Sequence, residues 1–111
     1  MRADEWLTAF LLTQAIEVPV YLFTARALPW MRRITYAFGA STLTHPVVWF
    51  CLPWERAPYA LLFIAAEIFA FTVEGAWGRL LRAPRPWTAS LLANAASVVF
   101  GSAIQWMLGG A

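Results

Sequence analysis

Five side chains of the kinds that bind protons or metal ions lie in otherwise apolar stretches of this sequence. They are Glu17, His45, Glu67, Glu74 and Asn94. Glu67 and Glu74 are seven residues apart, a spacing that places both on one face of a helix. An ionisable group in the centre of a bilayer costs a few kcal/mol to insert, so it faces inward and finds a partner. We therefore predict that these side chains turn toward one buried layer.

The predicted depths separate one glutamate from the other four residues. At ~1.5 Å per residue, counted from the cytoplasmic span ends, Glu17, His45, Glu67 and Asn94 lie roughly 10 to 16 Å deep. Glu74 lies at roughly 6 Å. We expect His45 to point toward Glu17 or Glu67. We expect Glu74 to snorkel toward the surface, or to pair with an arginine just beyond the span, Arg79 or Arg82.

Seven further residues are predicted to support this layer. Their hydroxyl and amide groups offer hydrogen-bond partners inside the membrane. The two prolines among them each remove a backbone donor from a predicted helix and leave a carbonyl that needs another partner. They are Gln14, Ser41, Thr42, Thr44, Ser97, Pro19 and Pro46.

These residue types suit two kinds of site. Glu17, His45 and Glu67, completed by Asn94 or water, match the ligand chemistry of a divalent metal such as Zn, Mn or Fe. The spacing does not confirm a metal site, since there is no Glu-x-x-His or His-x-x-x-His motif. Carboxylate and histidine chains also recur in proton relays inside membranes. The carboxylate count favours a cation- or proton-binding or translocation site.

A structural interpretation stays open beside this one. In it, the polar layer only fixes helix packing, and the chain is an accessory subunit of a larger membrane complex. An enzyme is disfavoured, because the sequence has no nucleophile motif and nothing in the spacing of Ser97, His45 and Glu67 requires a triad. No nucleic-acid module is present.

The elements that position these residues follow from composition. Of the 111 residues, 61% are hydrophobic and 13% are charged, against about 25% charged in soluble domains. Four apolar segments cover residues 6–25, 34–53, 59–78 and 87–108, each near the ~20 residues that cross a bilayer as a helix. Short connections make neighbours antiparallel. We predict a single all-α membrane domain over residues 1–111, a four-transmembrane-helix up-down-up-down bundle.

Arginine placement predicts the orientation of the bundle. The first connection carries Arg26, Arg32 and Arg33, and the third carries Arg79, Arg82 and Arg85. The second has only Arg56, next to Glu55. The positive-inside rule then places both termini outside the cytoplasm. All eight basic residues are arginine, which is typical of GC-rich bacterial genomes and predicts a bacterial inner-membrane location.

The predicted partners are the lipid bilayer and other membrane helices. Four small residues follow each other at intervals of four along the last segment, namely Ala89, Ala93, Ser97 and Gly101. Such small-xxx-small ridges let helices approach closely. We expect this ridge to dock a second copy or a larger membrane complex.

Overall fold

Four α-helices make up the part of the chain that the computed structural model describes, residues 3–53 and 55–107. They are α1 (Ala3–Thr24), α2 (Trp30–Cys51), α3 (Tyr59–Leu80) and α4 (Pro86–Met107). The prediction of an all-α chain with four helices is confirmed. The predicted end of the last segment, residue 108, lies outside the described residues.

Helix α2 begins four residues earlier than predicted, because the chain turns at Pro29 and the next residue is already helical. Arg33 then lies inside the helix rather than in a loop. Its Nε donates to the carbonyl oxygen of Leu22 at 2.7 Å. The last carbonyls of a helix have no partner within the helix, and basic side chains often satisfy them. Arg33 therefore caps the end of α1.

Helix α3 ends in a Schellman motif. The Ala83 N–H donates to the Gly78 carbonyl at 2.8 Å, and the Arg82 N–H donates to the Arg79 carbonyl at 3.1 Å. Arg82 has φ 60°, a left-handed conformation that costs a non-glycine residue about 1 kcal/mol. This turn reverses the chain, and α4 then begins at Pro86, a first-turn position where the missing N–H of proline is not needed.

The four helices pack in a ring. Helix α1 packs against α2 and α4, and α3 packs against the same two helices. Among the described residues, the backbones of the diagonal pair α1 and α3 do not approach each other. The bundle measures 41 × 26 × 22 Å, and a 22-residue helix is about 33 Å long, so the helices run along its long axis.

The interior of the bundle contains polar residues beside its hydrophobic core, and much of its outer surface is apolar. Large aliphatic and aromatic side chains are exposed on α1, α3 and α4, among them Leu11, Ile64, Ile68, Leu91 and Phe100. The buried polar residues are Glu17, Ser41, Thr44, Glu74, Ser90 and Asn94. In water, buried charge and exposed apolar surface would both be unfavourable. This distribution fits a bundle whose solvent is lipid.

Three of the four helices are long and apolar enough to cross a membrane. The qualifying stretches are Trp6–Thr24, Tyr59–Leu80 and Pro86–Ile104. Helix α2 does not qualify, so three of the four predicted apolar spans meet this criterion. It carries Arg32 and Arg33 in its first turn and four polar residues, Ser41, Thr42, Thr44 and His45, in its second half.

Candidate functional site

A cavity of about 360 Å³ lies inside the bundle, and residues from all four helices line it. The five candidate residues Glu17, His45, Glu67, Glu74 and Asn94 are all in its wall. Helix α3 lines it from Tyr59 to Glu74, a distance of about 22 Å along the helix axis. Residues separated on four helices in the sequence are thus brought to one internal space.

Glu74 is the most highly connected residue of the cavity. Its side chain is only 1% exposed. The Tyr21 hydroxyl donates to Oε1 at 2.5 Å, the Thr44 hydroxyl donates to Oε2 at 2.7 Å, and Asn94 Nδ2 donates to Oε1 at 3.2 Å. These donors belong to α1, α2 and α4. The Glu74 carboxyl group therefore ties α3 to each of the other three helices.

The expectation that Glu74 snorkels or pairs with an arginine is wrong. Arg79 and Arg82 are exposed, while Glu74 points into the bundle toward neutral donors. The direction of a side chain depends on the helix face that carries it, so a residue near the end of a span can still point into the cavity. Depth alone therefore gave the wrong partner.

Asn94 is held in place by Ser90, one turn earlier on α4. Its Nδ2 donates to the Ser90 carbonyl at 2.8 Å and approaches the Ser90 hydroxyl oxygen at 3.3 Å. Ser90 itself donates to the Phe71 carbonyl of α3 at 2.8 Å. This chain of bonds orients the amide of Asn94 toward Glu74.

Glu17 has a carboxyl oxygen without a partner. The residue is 3% exposed, and its carboxyl group interacts with Ser97 and with Glu74. Within the part of the chain that the structure describes, its Oε1 has no hydrogen-bond partner. A buried acceptor left unsatisfied costs about 1–3 kcal/mol. Glu17 and His45 are thus cavity-lining residues that each have a buried polar atom without a partner among the described residues.

His45 does not find the partner predicted for it. Its Nε2 lies 3.4 Å from the Thr13 hydroxyl, and its Nδ1 is buried without a partner among the described residues. The ring packs among aromatic side chains, with centroid distances of 5.4 Å to Phe10 and 5.9 Å to Trp49. The expected hydrogen bond to Glu17 or Glu67 is replaced by a contact with Thr13.

Glu67 is half-buried and lies where the cavity meets a second groove between α3 and α4. The proposed metal ligands Glu17, His45 and Glu67 do not form a metal site. Among the residues that the structure describes, no three His, Cys, Asp or Glu side chains are close enough to hold one ion. The geometry gives the divalent-metal interpretation no support.

The seven supporting residues divide into three groups. Thr44 and Ser97 line the cavity. Gln14, Ser41 and Thr42 instead form a separate hydrogen-bonded seam between α1 and α2. In this seam the Ser41 hydroxyl donates to Gln14 Oε1 at 2.7 Å, and Gln14 Nε2 donates to the Thr42 hydroxyl at 3.3 Å. Pro19 and Pro46 lie inside α1 and α2 without interrupting them, and neither lines the cavity.

Two of the four residues of the small-residue ridge of α4, Ala89 and Ala93, face the interior. Ala89 and Ala93 are fully buried in a cluster with Val18 and Tyr21 of α1. The prediction that this ridge docks a partner is therefore wrong for its buried members, because the bundle itself uses them for α1–α4 packing. A small-residue ridge has the same sequence pattern whether the approaching helix belongs to the same chain or to another.

Sequence reasoning missed Tyr21, although a signal was available. Tyr21 follows Glu17 by four residues, so the two side chains share one face of α1. Its ring is fully buried and lies 4.8 Å, centroid to centroid, from that of Tyr36. A tyrosine on the carboxylate face of a membrane helix is a candidate donor to a second carboxylate.

Together these features define a class of protein: a small helical bundle with an apolar exterior, suited to a membrane, and a buried carboxyl cluster beside an internal cavity. Comparisons with known protein families, with characterised proteins and with solved structures found no match.

Proposed function

We propose that this chain is a small multi-pass protein of the bacterial inner membrane whose cavity binds a cation or proton at Glu17. The observation that supports it most directly is the unpartnered Oε1 of Glu17, a carboxyl group that is 97% buried beside a second one, Glu74. Two carboxyl groups in a low-dielectric interior repel each other strongly when both are charged. A bound cation or proton relieves that repulsion and satisfies the free oxygen.

The two glutamates have different roles in this proposal. Glu74 is fixed by three donors from three helices and serves as an anchored negative charge. Glu17 lines the cavity, its buried Oε1 has no hydrogen-bond partner among the described residues, and in this proposal it is the exchanging group. Glu67, half-buried at the cavity edge, lies on the route between the cavity and the outer groove.

The second candidate function is structural. The contacts of Glu74 with Tyr21, Thr44 and Asn94 favour it, because they join all four helices and fix their relative positions. In that case the polar layer specifies packing alone, within an accessory subunit of a larger membrane complex. The two candidates make different predictions for Glu17, whose Oε1 forms no hydrogen bond to another helix among the described residues.

The orientation is proposed together with the site. All four helices span the bilayer, and α2 is carried by its neighbours because its polar face lies against α1 and the cavity. Both termini are extracytoplasmic, since the arginines concentrate on the first and third connections. The cavity then extends from the middle of the bundle toward the extracytoplasmic side, where α3 begins at Tyr59.

The test compares Glu17→Gln with Glu74→Gln in purified protein reconstituted into liposomes. Proton flux is followed with a pH-sensitive dye, and binding of Na⁺ and Rb⁺ is measured on the same preparation. We expect the wild type to bind or transport a cation. Glu17→Gln should abolish that binding or transport and leave the free energy of unfolding unchanged. Glu74→Gln is expected to lose stability, because the new amide places an N–H₂ against hydroxyl and amide donors.

Glu55→Gln is the control, because Glu55 is exposed and outside the cavity. It should leave both flux and stability unchanged. A wild-type protein that neither binds nor moves any of these cations, together with a Glu17→Gln variant indistinguishable from it, would refute the site and leave the structural role.

A further inference from the structure

Part of the wall of the cavity is aromatic. His45 and Trp49 of α2 stack with their ring centroids 5.9 Å apart, and Tyr59 and Phe63 of α3 stack at 6.0 Å. All four side chains line the cavity, and α2 and α3 are neighbours in the ring of helices. Two pairs of rings from adjacent helices therefore line the same cavity as Glu17 and Glu74.

The volume of the cavity exceeds what an inorganic cation requires. At about 360 Å³ it has room for about a dozen water molecules at ~30 Å³ each, and it falls at the lower end of the range for small-molecule pockets, roughly 300–1,000 Å³. A hard inorganic cation also prefers oxygen ligands on every side, which the aromatic wall does not provide.

The charge of the lining selects cations over anions. Three glutamates contribute to it, namely Glu17, Glu67 and Glu74, and apart from His45 none of the described residues that line it is basic. Aromatic faces attract ammonium groups through the ring quadrupole, and surrounding rings are the usual means of recognising quaternary ammonium ions. A ligand that combines a positive charge with a small apolar body complements both the carboxyl groups and the aromatic rings of the lining.

We infer that the cation bound in this cavity is a small monovalent organic ammonium ion, held by Glu17 and enclosed by Trp49, Phe63 and their stacked partners. The inference depends on the proposed cation site and adds the class of its ligand. The ammonium group lies beside the Glu17 carboxyl group in the cavity, and its apolar substituents contact the rings of α2 and α3.

Isothermal titration of the purified full-length chain in detergent tests the ligand class. The probe is benzyltrimethylammonium, and the comparison ligand is neopentylbenzene, a neutral molecule of the same shape with carbon in place of nitrogen. We expect the cation to bind and the neutral molecule to bind at least tenfold more weakly. Equal binding of the two would overturn the inference, because it would show an apolar pocket in which the carboxyl groups play no part.

Two matched substitutions test the aromatic wall. Phe63→Leu keeps an apolar side chain but removes a ring face, and should weaken benzyltrimethylammonium binding about 5- to 30-fold. Phe100→Leu makes the same change on the exposed surface of α4, where Phe100 is 58% exposed, and should leave binding unchanged. An equal effect of both substitutions, or none from Phe63→Leu, contradicts recognition by the wall.

Inorganic cations separate failure of this inference from failure of the proposed function. If benzyltrimethylammonium does not bind, but Na⁺, Rb⁺ or protons bind in a manner abolished by Glu17→Gln, the ligand class is wrong and the cation site stands. If none of these binds, both are wrong. Circular dichroism and gel filtration of each variant confirm that the helices and the monodisperse protein are retained.

Discussion

The hydroxyl group of Tyr21 donates a 2.5 Å hydrogen bond to Oε1 of Glu74, across 53 positions of sequence. The bond joins α1 to α3, the diagonal pair whose backbones do not approach each other in the described part of the bundle. Both residues are fully buried. The diagonal helices α1 and α3 are thus connected by a side-chain hydrogen bond in the interior of the bundle. The candidate site and the helix packing therefore depend on the same side chains.

Replacing Tyr21 by Phe should destabilise the protein. The substitution removes one of the three donors to a buried carboxyl group and leaves the ring in place, so we expect a loss of about 1–3 kcal/mol in the free energy of unfolding. The measurement is equilibrium unfolding in mixed micelles, followed by circular dichroism.

Tyr36→Phe is the matched control for this change. The Tyr36 hydroxyl is buried, but it has no hydrogen-bond partner among the described residues, so its removal should be neutral or slightly stabilising. If the two variants lose the same stability, the Tyr21–Glu74 bond contributes nothing specific.

Replacing His45 by Gln should leave stability nearly unchanged. The single polar contact of His45 is a long one, 3.4 Å to Thr13, and hydrogen bonds inside membranes average only about 0.6 kcal/mol. Ser41→Ala, which removes the 2.7 Å bond to Gln14, should cost more in the same unfolding assay. A His45→Gln variant that is less stable than Ser41→Ala would show that the ring has a packing role that its contacts do not predict.

Gly75 should not tolerate a methyl group. A Cβ atom at this position would collide with the indole ring of Trp87, where α3 crosses α4. Overpacking of this kind usually costs 1–3 kcal/mol, so we expect Gly75→Ala to lower the unfolding free energy by roughly that amount. Combining it with Trp87→Leu should restore most of the loss.

Gly101→Ala provides the comparison within the same bundle. A Cβ atom there meets nothing within 4 Å, and alanine favours a helix by roughly 0.5–1 kcal/mol over glycine. This variant should be neutral or more stable. Equal destabilisation at both positions would mean that Trp87 is not the cause.

Reporter fusions should place the C-terminus and the second connection outside the cytoplasm. A fusion after Met107 and a fusion at Glu55 are both expected to be active for an extracytoplasmic reporter, and a fusion at Arg82 is expected to be inactive. The arginine distribution is the reason. A fusion at Ala27, in the first connection, that reports the same side as the Glu55 fusion would show that α2, the least apolar helix, does not cross the membrane. A cytoplasmic C-terminus would contradict the proposed orientation.

The helices themselves were accessible from sequence, because a bilayer leaves few alternatives for an apolar run of about 20 residues. Tyr59, directly after Pro58, was placed correctly as the start of α3. The boundary of α2 was not, because Trp30 and the arginines after it are typical of a connection by composition, yet they continue a helix once Arg33 caps α1. The local sequence pattern therefore predicts that α2 exists, whereas its first residue depends on contacts with α1 such as the Arg33–Leu22 hydrogen bond.

The inward face of each helix was also partly determined by sequence. The spacing of Glu67 and Glu74 put both on one side of α3, and both line the cavity. Periodicity does not say which neighbour a face meets. The ridge of Ala89 and Ala93 was assigned to an outside partner, and it packs against α1 instead.

What the sequence determined by itself is therefore an all-helical chain with apolar faces for lipid and a set of polar residues that lipid cannot accommodate. The tertiary structure alone decided their partners: Tyr21, Thr44 and Asn94 lie around Glu74, Thr13 lies beside His45, and Oε1 of Glu17 is buried without a hydrogen-bond partner among the described residues. The physical reason is that spacing along a helix fixes relative direction within that helix, whereas a hydrogen bond between helices depends on rotation and axial offset to within about an ångström, which only packing of the whole bundle sets.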